Sequence, residues 1–96
     1  MFIVITYDVN TTTPAGQKRL RAIAKCCVAH GQRVQNSVFE CSLDAAQLVT
    51  LKQQLYELMD CNRDSIRIYN LGAKFTRKIT HMGTKPSFNP DDVMIL

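Results

Sequence analysis

The chain has 96 residues, of which 46% are apolar and 21% are charged, and its formal net charge is +4. This length suits one domain, and the apolar fraction is high enough to build a core, which excludes a disordered chain. No stretch has the roughly 18 consecutive apolar residues that a membrane span needs, and no basic segment precedes the apolar start. We therefore expect a cytoplasmic protein without a membrane partner.

The basic residues are unevenly distributed. No Asp or Glu occurs in residues 9–39 or 65–90, and these two stretches hold ten of the twelve Lys and Arg residues. A nucleic acid is the partner that such a distribution favours, because phosphates attract basic surfaces that contain no acid. The alternative is that the charges serve solubility alone, and salt-dependent binding to DNA would separate the two.

Three elements are predicted in the first half of the chain. Residues 2–9 are β-branched and aromatic, which is typical of a central strand. Thr13 is a good helix N-cap and is followed by proline, so a helix is predicted over residues 14–30. Gly31 is placed to end that helix in the left-handed conformation. Residues 33–41 alternate and contain turn formers near their middle, which predicts a strand with a turn inside it.

The second half begins with a helix signal. Asp44 and Gln47 have the spacing of a capping box, and apolar residues follow at helical spacing to about residue 59. Residues 65–71 predict a strand, and residues 74–81 predict another short one. The order is therefore βαββαβ with an extension.

This order predicts an α+β, ferredoxin-like fold, in which two helices cover one face of an antiparallel sheet. We assign residues 1–82 to this domain and residues 83–96 to a C-terminal extension. The other face of the sheet would expose Phe2 and Val4, and pairing two copies through that face would cover them. The sequence therefore predicts a homodimer.

The apolar end of the chain is expected to take part in the same dimer. Val93 and Ile95 follow a proline-containing polar segment, and we expect them to add a strand to the sheet of the partner. The alternative is a tail that folds onto its own sheet. The predicted interface residues are Phe2, Val4, Phe39, Val93 and Ile95.

Asp8 is the candidate catalytic residue and metal ligand, because it is the acid at the carboxyl end of the first strand. Phosphodiester hydrolysis requires charge neutralisation and an activated water, which Mg²⁺ or Mn²⁺ held by oxygen ligands supplies. One carboxylate is few, but a two-fold axis would bring a second Asp8 to the same ion. The alternative is that Asp8 is a turn residue that accepts hydrogen bonds from backbone N–H groups near Asn10.

Residues predicted to contact nucleic acid come from the first strand, the first helix, the hairpin and the second acid-free stretch. If the alternation holds, Arg33, Ser37 and Phe39 share a side of the sheet that approaches Asp8. Ser37 would offer a hydroxyl to phosphate or to metal-bound water, and Phe39 fits the core or the interface better than a base-stacking role. The predicted contacts are Tyr7, Lys18, Arg19, Arg33, Ser37, Arg77 and Lys78.

Three segments together resemble the CRISPR-associated protein 2 family: residues 7–9 (YDV), residues 18–20 (KRL) and residues 33–40 (RVQNSVFE). The resemblance implies a ferredoxin-like homodimer in which Asp8 of both subunits binds a divalent metal. It also implies nuclease activity on DNA or RNA and partnership with the CRISPR integrase during capture of foreign DNA. The loop after Asp8 departs from a richer metal site, since residues 9–14 contain no second acid.

Three functions follow as hypotheses. The first is a Mg²⁺-dependent endonuclease that favours double-stranded DNA, with RNA as an alternative, and acts in CRISPR adaptation. The second is a non-catalytic dimeric adaptor that holds DNA for the integrase. The third is a ribonuclease toxin of the same fold.

Overall fold

The computed structural model describes residues 1–73 and 79–83. Within them the chain forms four strands and two helices in the predicted βαββαβ order. The elements are β1 (Phe2–Asp8), α1 (Pro14–Val28), β2 (Gln32–Gln35), β3 (Val38–Ser42), α2 (Ala45–Leu58) and β4 (Ser65–Gly72).

The strands form one sheet in the order β2-β3-β1-β4, with every neighbouring pair antiparallel. This is the ferredoxin-like arrangement that the element order predicts, with β1 at the centre of the sheet. In the part of the chain that the structure describes, neither helix is long and apolar enough to cross a membrane.

Both helices begin where their capping residues predict. The Thr13 hydroxyl accepts a hydrogen bond from the backbone N–H of Gly16 at 3.1 Å. At α2 the Asp44 carboxylate accepts from the N–H of Gln47 at 2.8 Å, and the Gln47 side chain accepts from the N–H of Asp44 at 2.9 Å. Each bond satisfies a backbone donor that has no partner inside the helix, so these local signals are sufficient to set the helix starts.

Gly31 is needed for a different reason from the predicted one. The described glycines with positive φ are Gly72 and Gly83, so the prediction of a left-handed Gly31 is wrong. A Cβ at position 31 would overlap the carbonyl oxygen of Glu40 and the Cβ of Cys41. Gly31 therefore allows the end of α1 to approach β3 closely.

The core lies between the sheet and the two helices. Ile3, Ile5 and Tyr7 of β1 face the helices, and Phe39 of the neighbouring strand β3 is paired with Ile5. Burial raises the pKa of the Cys27 thiol to about 12, which agrees with its place in this core. The buried cluster consists of Ile3, Ile5, Tyr7, Val9, Ile23, Cys27, Phe39, Cys41, Leu43, Leu48, Leu51 and Leu55.

The structure changes the residues available on the other face of the sheet. Phe2 is only 1% exposed and Phe39 is 0% exposed in a single chain, so neither is a surface residue as the interface prediction requires. A register shift opposite Phe2 and Ile3 leaves one extra residue in β4, while the pairing of β1 with β3 continues without a shift. Phe2 does not belong to the buried cluster between the sheet and the helices, and the other apolar side chains that the register places on the open face are Val4, Val38 and Tyr69.

Several predictions fall on residues that the structure does not describe. The predicted strand at 74–81 and the extension at 83–96 lie mainly outside the described residues, and residues 79–83 have no regular secondary structure. The predicted contacts Arg77, Lys78, Val93 and Ile95 lie wholly outside them. These assignments remain predictions.

Candidate functional site

Asp8 is the last residue of β1 and its side chain is exposed to solvent. The register pairs it with Ser65 of β4 and places it on the open face, in alternation with Val4 and Thr6. Among residues 1–73 and 79–83, the Asp8 carboxylate has no hydrogen-bond or ion-pair partner. A free carboxylate at the end of the central strand is able to bind a cation.

The turn after β1 is made by Asn10, which argues against the alternative role for Asp8. The Asn10 side-chain oxygen accepts hydrogen bonds from the backbone N–H of Thr12 at 3.0 Å and from the Thr12 hydroxyl at 2.7 Å. This is the local bonding that an Asx residue provides in a turn. Asn10 therefore performs the turn role within the described residues, and Asp8 is not used for it.

The loop between β1 and α1 packs tightly against the first turn of α1. A Cβ at position 16 would overlap the carbonyl oxygen of Asn10 and would lie 3.3 Å from the Cα of Thr11. Gly16 is therefore required because the backbone of this loop occupies the space of a side chain. The close packing determines the course of the chain immediately after Asp8.

Asp64 is a second acid at the end of the sheet where Asp8 lies, and the sequence reasoning missed it. It immediately precedes β4, its side chain is 0% exposed, and it pairs with Arg19 of α1 at 2.8 Å. Its carboxylate also accepts the backbone N–H of Asn10 at 3.2 Å and of Asp60 at 2.9 Å. A single acid between helix and strand gives no sequence signal for such a site, because its partners lie 45 and 54 residues away in the chain.

The ionised form of Asp64 is favoured in the folded protein. Burial by itself would raise the pKa of Asp64, but the hydrogen bonds from Arg19 and from the N–H groups of Asp60 and Asn10 outweigh burial. The pKa of Asp64 is therefore held below its ordinary value of 3.8. The charged group that acts directly on Asp64 is Arg19. The negative charge of Asp60 acts in turn on Arg19.

This lowered pKa predicts a pH-dependent stability. The free energy of unfolding that Asp64 contributes is expected to be complete above its ordinary pKa and to disappear as the pH falls through the lower pKa of the folded state. Urea unfolding of the parent and of Asp64→Asn, at neutral and at acid pH, measures this contribution. The parent should be the more stable at neutral pH and the difference should shrink in acid; a difference independent of pH would contradict the prediction.

Arg19 has a different environment from the one predicted. Its guanidinium donates to both oxygens of Asp64, at 2.8 Å from Nε and 3.3 Å from Nη2. This two-point contact is the strong form of an arginine–carboxylate pair, and the Arg19 side chain is 20% exposed. The structure therefore places Arg19 in an internal ion pair, and its predicted contact with phosphate remains a prediction.

Tyr7 is a core residue in this structure. Its side chain is 4% exposed, its ring stacks on Phe39 with centroids 5.8 Å apart, and its hydroxyl donates to the carbonyl of Asn36 at 3.2 Å. Burial raises the pKa of the Tyr7 hydroxyl, opposed by the charge of Arg33. The ring is covered and the hydroxyl is occupied, so the structure gives Tyr7 a role in the core, and its predicted contact with nucleic acid remains a prediction.

The hairpin residues divide between the two faces of the sheet. Arg33 pairs with Phe39, and its guanidinium carbon lies 5.2 Å from the centroid of that ring, on the face that the helices cover. The expected approach of this side to Asp8 is therefore wrong, because Asp8 is on the opposite face. Ser37 does lie at the same end of the sheet, since its carbonyl accepts the N–H of Tyr7 at 3.1 Å.

Three exposed cations lie along one side of α1. Lys18, Arg21 and Lys25 follow at spacings of three and four residues, which places them on neighbouring turns. None of them belongs to either ion pair formed within the described residues. We call these three residues the α1 basic stripe; their charge is available to a polyanion.

The carboxylate oxygens of Asp8 are ligands of the type that hard divalent cations prefer, and one chain supplies one such carboxylate at this position. The described residues contain no group of three or more His, Cys, Asp or Glu side chains that could hold a metal ion. Mg²⁺ keeps several waters and commonly takes only one or two carboxylates from a protein. The donor set therefore fits Mg²⁺ or Mn²⁺ in type, and a second Asp8 would complete it in number.

The fold and this site define a class: a ferredoxin-like domain with one exposed carboxylate at the end of its central strand. The family model described as CRISPR associated protein Cas2 matches residues 1–79. The chain belongs to this family.

Named relatives agree with this assignment. The chain is 52% identical over 95 residues to the CRISPR-associated endonuclease Cas2 of Halalkalibacterium halodurans, covering 99% of each chain. It is 49% identical over 96 residues to the CRISPR-associated endoribonuclease Cas2 of Nitratidesulfovibrio vulgaris, covering 100% of this chain and 94% of the relative. The crystal structure of Streptococcus pyogenes Cas2 at pH 6.5 superposes with a TM-score of 0.77 and 54% identity, over 86% of this chain and 100% of that one.

Proposed function

We propose that this protein is a metal-dependent endonuclease of a CRISPR system that acts as a homodimer, with duplex DNA as the favoured substrate and RNA as the alternative. The observation that carries the proposal is the exposed Asp8 carboxylate, which has no partner within the described residues. Relatives about half identical to the chain are named endonuclease and endoribonuclease, which supports phosphodiester hydrolysis.

The homodimer in this proposal forms through the open face of the sheet. Both helices cover the opposite face, and on the open face Val4 and Val38 are only partly buried and Tyr69 is 43% exposed. An isologous contact buries these residues against their symmetry mates. It also brings the two Asp8 residues toward the same axis, because Asp8 belongs to this face.

The divalent cation is proposed to be held by Asp8 of both subunits together with water. When bound, Mg²⁺ or Mn²⁺ neutralises charge at the scissile phosphate and favours ionisation of a water molecule. The chain itself contributes the α1 basic stripe, which attracts and holds the phosphate backbone. Phosphate contacts do not depend on the sugar, so this surface is compatible with both DNA and RNA.

The non-catalytic role also has a specific observation in its favour. The α1 basic stripe is exposed, and it would bind duplex phosphates whether or not a bond is cut. We therefore keep a DNA-binding adaptor of the CRISPR integrase, acting in the capture of foreign DNA as spacers, as the second candidate.

Removal of the cation tests the leading proposal. Duplex DNA, single-stranded DNA and RNA are digested side by side with Mg²⁺, with Mn²⁺ and with excess EDTA. Cleavage is expected only in the presence of a divalent cation, because two facing carboxylates without one repel the phosphate. Identically purified Asp8→Asn protein shows how much cutting comes from a co-purified nuclease. Cleavage that persists in EDTA, or no cleavage of any of the three polymers, would contradict the proposal.

A further inference from the structure

We infer that Asp64 is a positioning residue for Asp8, holding the loop after β1 and the start of β4 in the arrangement that the catalytic carboxylate requires. This inference rests on the proposed nuclease function. The Asp64 side chain is buried, so it acts through the backbone of the loop that follows Asp8 and through the neighbouring strand β4.

The Asp64 carboxylate connects three segments of the chain with four hydrogen bonds. One oxygen accepts the N–H of Asn10 at 3.2 Å and Nη2 of Arg19 at 3.3 Å. The other oxygen accepts Nε of Arg19 at 2.8 Å and the N–H of Asp60 at 2.9 Å. The β1–α1 loop, helix α1 and the α2–β4 loop are therefore joined at one buried side chain.

Two of these connections lead directly to Asp8. Asn10 is two residues beyond Asp8 in the chain, and its N–H is held by Asp64. Ser65 follows Asp64 and is paired with Asp8 in the β1–β4 register. Asp64 consequently restrains Asp8 from the loop and from the neighbouring strand at the same time.

Close packing around the loop makes this restraint directional. The Asn10 carbonyl oxygen lies against Gly16, in the space that a Cβ would fill, and this contact with the first turn of α1 opposes a shift of the loop toward the helix. The hydrogen bond from the Asn10 N–H to Asp64 opposes a shift away from the helix. A catalytic group must be held to well under 1 Å, because a displacement of about 1 Å can reduce a rate by roughly 100-fold.

A carboxylate is needed at position 64 because an amide cannot replace all four bonds. Asparagine keeps one acceptor oxygen but presents an NH₂ group where the second oxygen was, and it loses the charge that pairs with Arg19. The backbone donors of Asn10 and Asp60 then compete for the remaining acceptor. The loop after Asp8 should therefore become mobile while the core stays folded.

The test compares Asp64→Asn with Glu57→Gln as a matched control. Glu57→Gln also exchanges a carboxylate for an amide, but Glu57 is exposed on α2 and belongs to neither ion pair formed within the described residues. Folding is checked by circular dichroism at the assay temperature. Two quantities are then measured: hydrogen exchange of the Asn10 amide, and kcat and KM for cleavage of duplex DNA at saturating Mg²⁺.

In Asp64→Asn we expect exchange of the Asn10 amide to accelerate by at least about tenfold and kcat to fall by roughly 10- to 100-fold with KM nearly unchanged. Glu57→Gln should leave both quantities at the parental values. A role in stability alone would lower the unfolding midpoint without changing kcat of the folded enzyme. If Asp64→Asn does not fold, Arg19→Lys gives the same test, since lysine keeps the charge but not the two-point contact, and smaller changes in the same direction are expected.

Two results would overturn the inference: unchanged exchange of the Asn10 amide in folded Asp64→Asn, or accelerated exchange with parental kcat. Failure of the nuclease proposal is recognised separately, because the parent protein would then cleave none of the polymers at any metal concentration. Hydrogen exchange at Asn10 does not depend on cleavage, so unchanged exchange would still overturn the inference in that case.

Discussion

Asp8→Asn is expected to reduce the rate of phosphodiester cleavage on the order of 1,000-fold, because a catalytic metal contributes several kcal/mol and each 1.4 kcal/mol is a factor of ten. Asparagine keeps the size of the side chain but removes the negative charge that holds a divalent cation. In the proposed homodimer a single substitution removes this charge twice, once from each subunit.

The fold should tolerate the change. Asp8 is exposed, and its carboxylate makes no hydrogen bond or ion pair within residues 1–73 and 79–83. The free energy of unfolding is therefore expected to change by no more than about 0.5 kcal/mol. Glu57→Gln is the matched control, since Glu57 is an exposed acid on α2, in the helix layer.

Cleavage rates of parent, Asp8→Asn and Glu57→Gln are compared at the same Mg²⁺ concentration after identical purification. If Asp8→Asn cuts as fast as the parent, Asp8 is not catalytic and a contaminating nuclease explains the cutting. The same variant separates the two candidate functions in cells. Spacer capture that survives the loss of cleavage favours the adaptor, and spacer capture that is lost with it favours the nuclease.

Phe39→Ala is expected to lower the free energy of unfolding by about 3–5 kcal/mol, the usual range for removal of a buried aromatic ring. Phe39 is 0% exposed, stacks on Tyr7 at 5.8 Å and is paired with Ile5. Loss of the ring leaves a cavity beside two other core side chains. It also removes the surface beneath the Arg33 guanidinium.

Urea unfolding at several protein concentrations measures this effect and distinguishes a core residue from an interface residue. Tyr56→Ala is the control, because Tyr56 is an aromatic residue that is 68% exposed, and the change should cost less than about 0.5 kcal/mol. Loss of a core contact lowers stability at every concentration. A loss seen only where the protein is dimeric would show instead that Phe39 acts at the interface.

The order of the elements and the starts of the helices could be predicted because their signals are short. The Thr13 side chain accepts the N–H of a residue three positions later, and Asp44 and Gln47 bond to each other across the same spacing. The position of Asp8 at the end of β1 follows equally from local alternation. Such patterns need no knowledge of the rest of the chain, since the interacting groups are within one turn.

The sequence could not predict in full which residues lie on each face of the sheet, because that assignment depends on the register between strands. The hairpin register places Arg33 beside Phe39 on the helix-covered side, away from Asp8. Phe2, which simple alternation assigns to the open face, is buried without belonging to the core cluster between the sheet and the helices. Burial therefore depends on how the whole chain packs and does not follow from alternation alone.

The sequence alone therefore determined the ferredoxin-like order, the helix starts and the position of Asp8, all of which rest on contacts between near neighbours in the chain. The tertiary structure decided which residues surround that position. Asp64 meets Arg19 across 45 residues and Asn10 across 54. Contacts at such separations arise only when helix and strand pack together, so no local sequence pattern predicts them.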